Sequence, residues 1–162
     1  MYEKSVQEAL SPKVYSFECT KCGKCCMGTV MDLLPVEALR IASLAKKHNK
    51  KLVMVNFTFE TGVPMVRILC NPCPFFEGGK CIIYNDRPTI CKAYPIRPHP
   101  SKVVLDCGCP WVLACGLDSG SFDHLPLSSM QTEIKEARKF AQYCMSGLMY
   151  KHKNKNKTKG GF

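Results

Sequence analysis

In Cys19-Thr20-Lys21-Cys22-Gly23-Lys24-Cys25-Cys26, four thiols fall within eight residues. A C-x₂-C turn brings two sulfurs towards one centre, and a second such turn adds a third, as in C-x₂-C-x₂-C iron–sulfur loops. Gly23 is expected where the backbone has to pass close to an inorganic core. Adjacent side chains in an extended stretch point apart. The pair Cys25-Cys26 therefore predicts two different metal centres, or one cysteine that bridges two.

The twelve cysteines of this chain predict either a disulfide scaffold or a metal site, and the compartment decides between them. The first residues lack the basic and apolar regions of a signal peptide. No apolar run approaches the roughly 18 residues of a membrane span. A cytoplasmic location is therefore expected, where clustered thiols stay reduced and bind metal.

The 162 residues and 46% apolar content suit one domain with a modest core. We predict a single cysteine-cluster metal-binding domain at 1–150 and a basic, disordered tail at 151–162. The formal net charge of +10 counts every cysteine as neutral. Two four-thiolate sites, holding either Zn²⁺ or [4Fe–4S]²⁺, would lower it to about +6. The lysine tail favours solvation over a dedicated nucleic-acid arm.

The remaining pattern predicts an α+β fold, small, loop-rich and stapled by metal. A helix is expected from Pro35 to about His48, with proline at its first position. Alternating apolar residues at 52–59 and 63–69 predict a β-hairpin. Short strands are expected at 14–17 and 101–105. A C-terminal helix should begin after the capping residue Ser128 and bury Cys144 on its apolar face.

Through its first cysteine loop and the block that follows Cys73, the chain resembles the YkgJ-type cysteine-cluster family, which is described as a zinc- or iron-chelating domain. That family's hallmark is a C-x₂-C-x₂-C-C loop, followed downstream by C-P-[FL] and then C-x-I-Y-x-x-R-P-x-x-C-[RK]-x-[YF]-P. Here the downstream matches are Cys73-Pro-Phe, Cys81-Ile-Ile-Tyr, Arg87-Pro, Cys91-Lys and Tyr94-Pro. A later Cys-Pro is matched at Cys109, so the resemblance covers about residues 17 to 111. Extra thiols at Cys70, Cys107 and Cys115 depart from the pattern.

The resemblance implies eight metal ligands, enough for two four-thiolate sites: Cys19, Cys22, Cys25, Cys26, Cys73, Cys81, Cys91 and Cys109. Zinc accepts four thiolates, but zinc ribbons usually present two separated C-x₂-C knuckles. Three closely spaced thiols with a distant Cys-Pro are more typical of iron–sulfur ligation. We therefore favour two [4Fe–4S] clusters, or one larger bridged cluster, over zinc.

Three further side chains are candidates for cofactor binding. Arg87 either neutralises a cluster or forms a salt bridge within an Asp-Arg-Pro turn, and the sequence favours neither. Tyr84 and Tyr94 are expected to shield the metal. No catalytic residue is predicted, since the chain has no phosphate loop, no dinucleotide fingerprint and no C-x₃-C-x₂-C loop of radical S-adenosylmethionine enzymes.

Three functions are compatible with these features. The first is an iron–sulfur protein that transfers electrons, or assists redox or maturation reactions, for a protein partner. The second is a zinc-stabilised interaction module, with nucleic acid as one possible partner. The third is a metal-dependent modification enzyme, as the presence of similar domains in a flagellin lysine methylase suggests; its small-molecule substrate is not indicated.

Overall fold

The computed structural model describes residues 17–27, 30–69, 71–99, 101–115 and 130–157, with side chains as far as 146. It combines helices with small antiparallel sheets joined by loops, which confirms the predicted α+β class. The predicted strand at 14–17 lies outside the described residues except for Phe17, which is not in a strand.

The largest sheet has three antiparallel strands in the order β1-β3-β2. They are β1 (Val30–Leu33), β2 (Met54–Thr58) and β3 (Pro64–Leu69). Strands β2 and β3 form the predicted hairpin, and β1 is an additional strand that pairs with the other edge of β3. Asp32 lies opposite Arg67 in the register, and their side chains form two hydrogen bonds of 2.6 and 2.9 Å. This pair fixes the alignment of β1 on β3.

Helix α1 (Pro35–Lys47) confirms the predicted central helix. Proline occupies its first turn, Glu37 lies near its positive end and two lysines lie near its negative end. Its inner face buries Ile41 and Ala45 in a core that also contains Leu33 and Ile68. The helix is therefore held by the three-stranded sheet.

Short elements make up the middle of the chain, as its prolines and glycines predict. Two-stranded sheets pair β4 with β5 and β6 with β7. Only the last two residues of the predicted 101–105 strand are in a strand. The elements are β4 (Phe76–Glu77), β5 (Lys80–Cys81), α2 (Thr89–Ala93), β6 (Ile96–Arg97), β7 (Val104–Leu105) and α3 (Pro110–Ala114).

The last helix, α4 (Gln131–Lys157), closes two cores. Ile134 and Ala137 pack with residues of α2, β6, β7 and α3, while Phe140 and Cys144 pack with Leu34 and Met65. The predicted capping residue Ser128 lies outside the described residues. The helix continues to Lys157, whereas we expected a disordered tail from 151. Lysine is a good helix former, and no glycine or proline occurs between Lys151 and Gly160. Within the described part of the chain, no helix is both long and apolar enough to span a membrane.

Candidate metal centre

One cavity of about 470 Å³ contains all eight predicted ligand cysteines in its wall. Its volume lies in the range of cofactor and small-molecule sites and far exceeds the space that one metal ion needs. The loop at 17–27 forms one side of it, and the chain between Cys73 and Trp111 forms the other. The fold thus brings together two cysteine-rich segments that are separated in sequence by the strands of the three-stranded sheet.

The first segment turns sharply at Gly23. Its φ of +76° is the left-handed conformation that glycine adopts without strain, and a 3₁₀ turn follows at Lys24–Cys26. The amide of Cys26 donates to the carbonyl of Gly23 over 2.8 Å. A Cβ atom on Gly23 would clash with the ring of Phe76. Among the described residues, the ring of Phe76 is therefore what excludes a side chain at position 23.

The second segment is attached to the first by its backbone. The amide of Cys73 donates to the carbonyl of Cys26 over 2.8 Å. Phe75 is fully buried beside it, and Cys81 pairs with Phe76 across the β4–β5 hairpin. These contacts set two cysteines of the second segment close to the cysteine pair of the first.

Cys91 is positioned by helix α2, and a buried carboxylate holds the start of that helix. Glu37 accepts hydrogen bonds from the amide and the hydroxyl of Thr89, at 2.7 and 2.8 Å, and from the amide of Leu34 at 3.2 Å. Sequence analysis did not find this contact. Glu37 is an ordinary first-turn acid of α1 in the sequence, and its partner is 52 residues away.

Cys109 precedes helix α3, whose first residue is Pro110. It is buried, and its amide donates to the carbonyl of Asp106 over 3.1 Å. Trp111 packs edge-on against Phe17, with ring centroids 5.0 Å apart. This aromatic pair lines the cavity and connects the beginning of the cysteine loop to α3.

The cavity thiols influence one another's ionisation. A hydrogen bond with Cys26 lowers the pKa of Cys25 to about 7, and hydrogen bonds with Cys25 and Cys73 raise the pKa of Cys26. Burial raises the pKa of Cys81, Cys91 and Cys109. Buried thiols of this kind ionise when a bound cation compensates for their charge.

The three predicted cofactor-binding side chains all line the cavity. The guanidinium of Arg87 lies 3.7 Å from the ring centroid of Tyr84, and Arg87 also donates to the carbonyls of Tyr84 and Cys91. After the hydrogen bond with Cys26, the charge of Arg87 is a further cause of the lowered pKa of Cys25. Burial, followed by a hydrogen bond with Cys19, raises the pKa of Tyr84, and burial raises that of Tyr94. Sequence analysis missed Lys21, whose ammonium lies 4.7 Å from the Tyr84 ring; its position inside the first C-x₂-C was the available signal.

The other described cysteines lie outside the cavity lining. Cys107 is exposed, and Cys115 packs against the core formed with α4. Cys144 is buried among Leu34, Met65 and Phe140, as its helical spacing predicted. Cys70 lies outside the described residues.

The eight thiols surround the cavity without converging on a point. Among the described residues, no three cysteine, histidine or carboxylate side chains are grouped closely enough to hold one metal ion. The donor set itself, eight soft thiol sulfurs, suits zinc or iron–sulfur clusters.

The model of a known family matches residues 18–145, which is most of the chain. The chain belongs to the CxxCxxCC family. This family is described as a "Putative zinc- or iron-chelating domain", which confirms the resemblance. Membership of the CxxCxxCC family supports metal binding, with zinc and iron as the two candidates, and the match extends beyond residue 111 into α4. No curated protein and no solved structure matches the chain.

Proposed function

We propose that this protein binds iron–sulfur clusters through its eight cavity cysteines and serves a partner protein, in electron transfer or in redox and maturation reactions. The observation that carries the proposal is the shared cavity of about 470 Å³ with eight thiols in its wall. Bound clusters would supply reversible one-electron chemistry. The chain supplies the thiols, the aromatic shield and the surrounding charges.

The spread of the thiols supports clusters over single ions. Four sulfurs bound to one zinc ion at about 2.3 Å are only about 3.8 Å from one another. A cubane cluster holds its four ligand sulfurs farther apart, because each sulfur binds a different iron atom. A wide cavity, in which no three of the described donors are grouped for one ion, favours the larger guest.

The position of the cysteine pair supports a redox role over a purely structural one. Cys25 and Cys26 are adjacent in sequence and both line the cavity, so centres bound to them would be close. Electron tunnelling falls steeply with distance, whereas structural zinc sites gain nothing from proximity. Cys22 and Cys25 are exposed, so a centre bound there would lie near the surface.

The charge at this surface supports a protein partner with an acidic docking face. Lys21 and Lys24 are exposed beside Cys22 and Cys25. Positive charge next to an electron-transfer site speeds encounter with an acidic partner and orients it.

The test is metal and sulfide analysis of anaerobically purified protein, combined with electron paramagnetic resonance after dithionite reduction. Two [4Fe–4S] clusters would give about eight iron and eight sulfide per chain, with a reducible signal. Stoichiometric zinc, with no sulfide and no reducible signal, would overturn the proposal and support the zinc-stabilised interaction module.

A further inference from the structure

Four of the cavity cysteines share one hydrophobic core. Cys73 is buried in the core that contains Leu33, Ile41 and Phe75. The partly buried side chains against that same core include three more cysteines: Cys26, Cys81 and Cys91. One loop residue and three residues of the second segment therefore pack against the same core and line the same cavity.

Hydrogen bonds hold this group together in addition to its packing against the core. The amide of Cys73 donates to the carbonyl of Cys26, and the amide of Ile82, next to Cys81, donates to the carbonyl of Phe75. The Cys26 and Cys73 thiols are also hydrogen-bonded. Cys91 follows Thr89, which Glu37 holds in place. Each member thus has its own structural anchor.

The other four cavity cysteines are Cys109 and three cysteines of the 17–27 loop. Cys109 is buried in a different core, with Ala93, Leu105 and Val112, against which Tyr94 and Trp111 pack. Phe17, two residues before Cys19, packs against Trp111, two residues after Cys109, with ring centroids 5.0 Å apart. Of the adjacent pair, Cys26 packs against the first core, whereas Cys25 is exposed.

We propose that the eight cysteines form two four-thiol sets that each hold one metal centre. The inner set is Cys26, Cys73, Cys81 and Cys91; the outer set is Cys19, Cys22, Cys25 and Cys109. The inference rests on the metal binding of the proposed function and assigns its ligands. Cys25 belongs to the outer set and Cys26 to the inner set. Because these two residues are adjacent in sequence, the two centres would be neighbours.

The two sets differ in access to solvent. Cys22 and Cys25 of the outer set are exposed, whereas each member of the inner set is buried or partly buried. The outer centre is therefore the one that oxidants, chelators and a protein partner reach first. Arg87 interacts with Cys81 and Cys91 of the inner set and with Cys25 of the outer set, so its positive charge lies where the two sets meet.

Paired substitutions test the division. Cys22→Ser and Cys81→Ser should each remove one centre, and so about half of the bound metal, after anaerobic reconstitution. The double variant Cys19→Ser/Cys22→Ser should lose no more than Cys22→Ser alone, because both residues serve one centre. The double variant Cys22→Ser/Cys81→Ser should lose nearly all of the metal. Circular dichroism identifies which variants are folded.

The control is Cys107→Ser, an exposed cysteine outside the cavity lining, which should keep full metal content. A Cys19/Cys22 double variant that is folded and loses all of its metal would overturn the division. So would a folded Cys22→Ser variant that is metal-free. The experiment counts whichever metal is present, so a protein that holds two zinc ions would refute the cluster proposal and still test the two sets.

A second measurement needs no variant. Wild-type protein is exposed briefly to air, its free thiols are alkylated, and the modified cysteines are located by mass spectrometry. The outer four should become reactive together while the inner four stay protected. Simultaneous release of all eight thiols would indicate one shared cluster, and release of Cys25 together with the inner four would refute the assignment.

Discussion

Glu37 is a buried carboxylate whose hydrogen bonds join the start of α1 to the start of α2. We expect Glu37→Gln to lower the free energy of unfolding by about 1–3 kcal/mol. Glutamine keeps one acceptor oxygen but presents an amino group where the carboxylate accepts from amide donors. The midpoint of denaturant unfolding, measured anaerobically on metal-loaded protein, gives the effect.

Glu60→Gln is the matched control, because Glu60 is exposed beside the β2–β3 turn. The same chemical change there should shift the free energy of unfolding by less than about 0.5 kcal/mol. Equal midpoints for the two variants would mean that Glu37 does not hold α2 in place.

The sequence predicted the individual cysteines of the site but not the residues that hold them in position. Spacing and the family pattern selected eight residues, and all eight line one cavity. Glu37 and Thr89 could not be paired from sequence, since no local pattern connects residues 52 positions apart. Gly23 was singled out for its closeness to an inorganic core, whereas the described contact is with Phe76.

The 17–27 loop depends on its glycine for two separate reasons. Gly23 and Gly79 both have φ of +76°, but a Cβ atom on Gly79 would meet nothing within 4 Å. We expect Gly79→Ala to cost about 1–2 kcal/mol from backbone strain alone. Gly23→Ala should cost roughly 1–3 kcal/mol more, because the Phe76 ring must move. It should also lower metal content, since that ring belongs to the hairpin that carries Cys81.

Denaturant midpoints and metal content of the two alanine variants are the measurements. The backbone strain is common to both variants, so the difference between their stabilities reports the contact with Phe76. Equal midpoints with equal metal content would show that the ring yields freely and that the loop does not need this close approach.

Elements with strong local signals were predicted well. Pro35, the first-turn Glu37 and the late lysines defined α1 almost to the residue. Strand β1 was missed because Val30 to Leu33 is only four residues long and becomes a strand by pairing with β3. Helix α4 runs to Lys157 and so overlaps the 151–162 segment that composition predicts as a tail, because composition alone does not separate a lysine-rich helix from a solvated tail.

The described residues at 71–99 and 101–115 form only elements of two to five residues. We expect this region to lose its packing when metal is removed, because short elements cannot offset the cost of burying the ligand thiols. Metal removal under anaerobic conditions should abolish the near-UV signal and open the region to protease. The only tryptophan of the chain, Trp111, lies in the cavity wall and reports directly on this change.

Reconstitution of the stripped protein with metal serves as the control and should restore both signals. A metal-free protein that still unfolds cooperatively, with its Trp111 signal intact, would contradict the expectation.

For the molecule as a whole, sequence spacing predicted a metal-stapled fold. The common cavity could not be derived from spacing, because it depends on how the sheet turns the chain back on itself.

The register of β1 on β3 places Val30 opposite Leu69. Cys26 lies four residues before the first of these and Cys73 four residues after the second. The sheet therefore closes the long connection between the two cysteine segments before any metal is required. As a linker does in multivalent binding, the sheet raises the effective concentration of the second group of thiols around the first. A metal captured by the loop then finds its remaining ligands by an intramolecular step, so the sheet contributes to affinity without touching the metal.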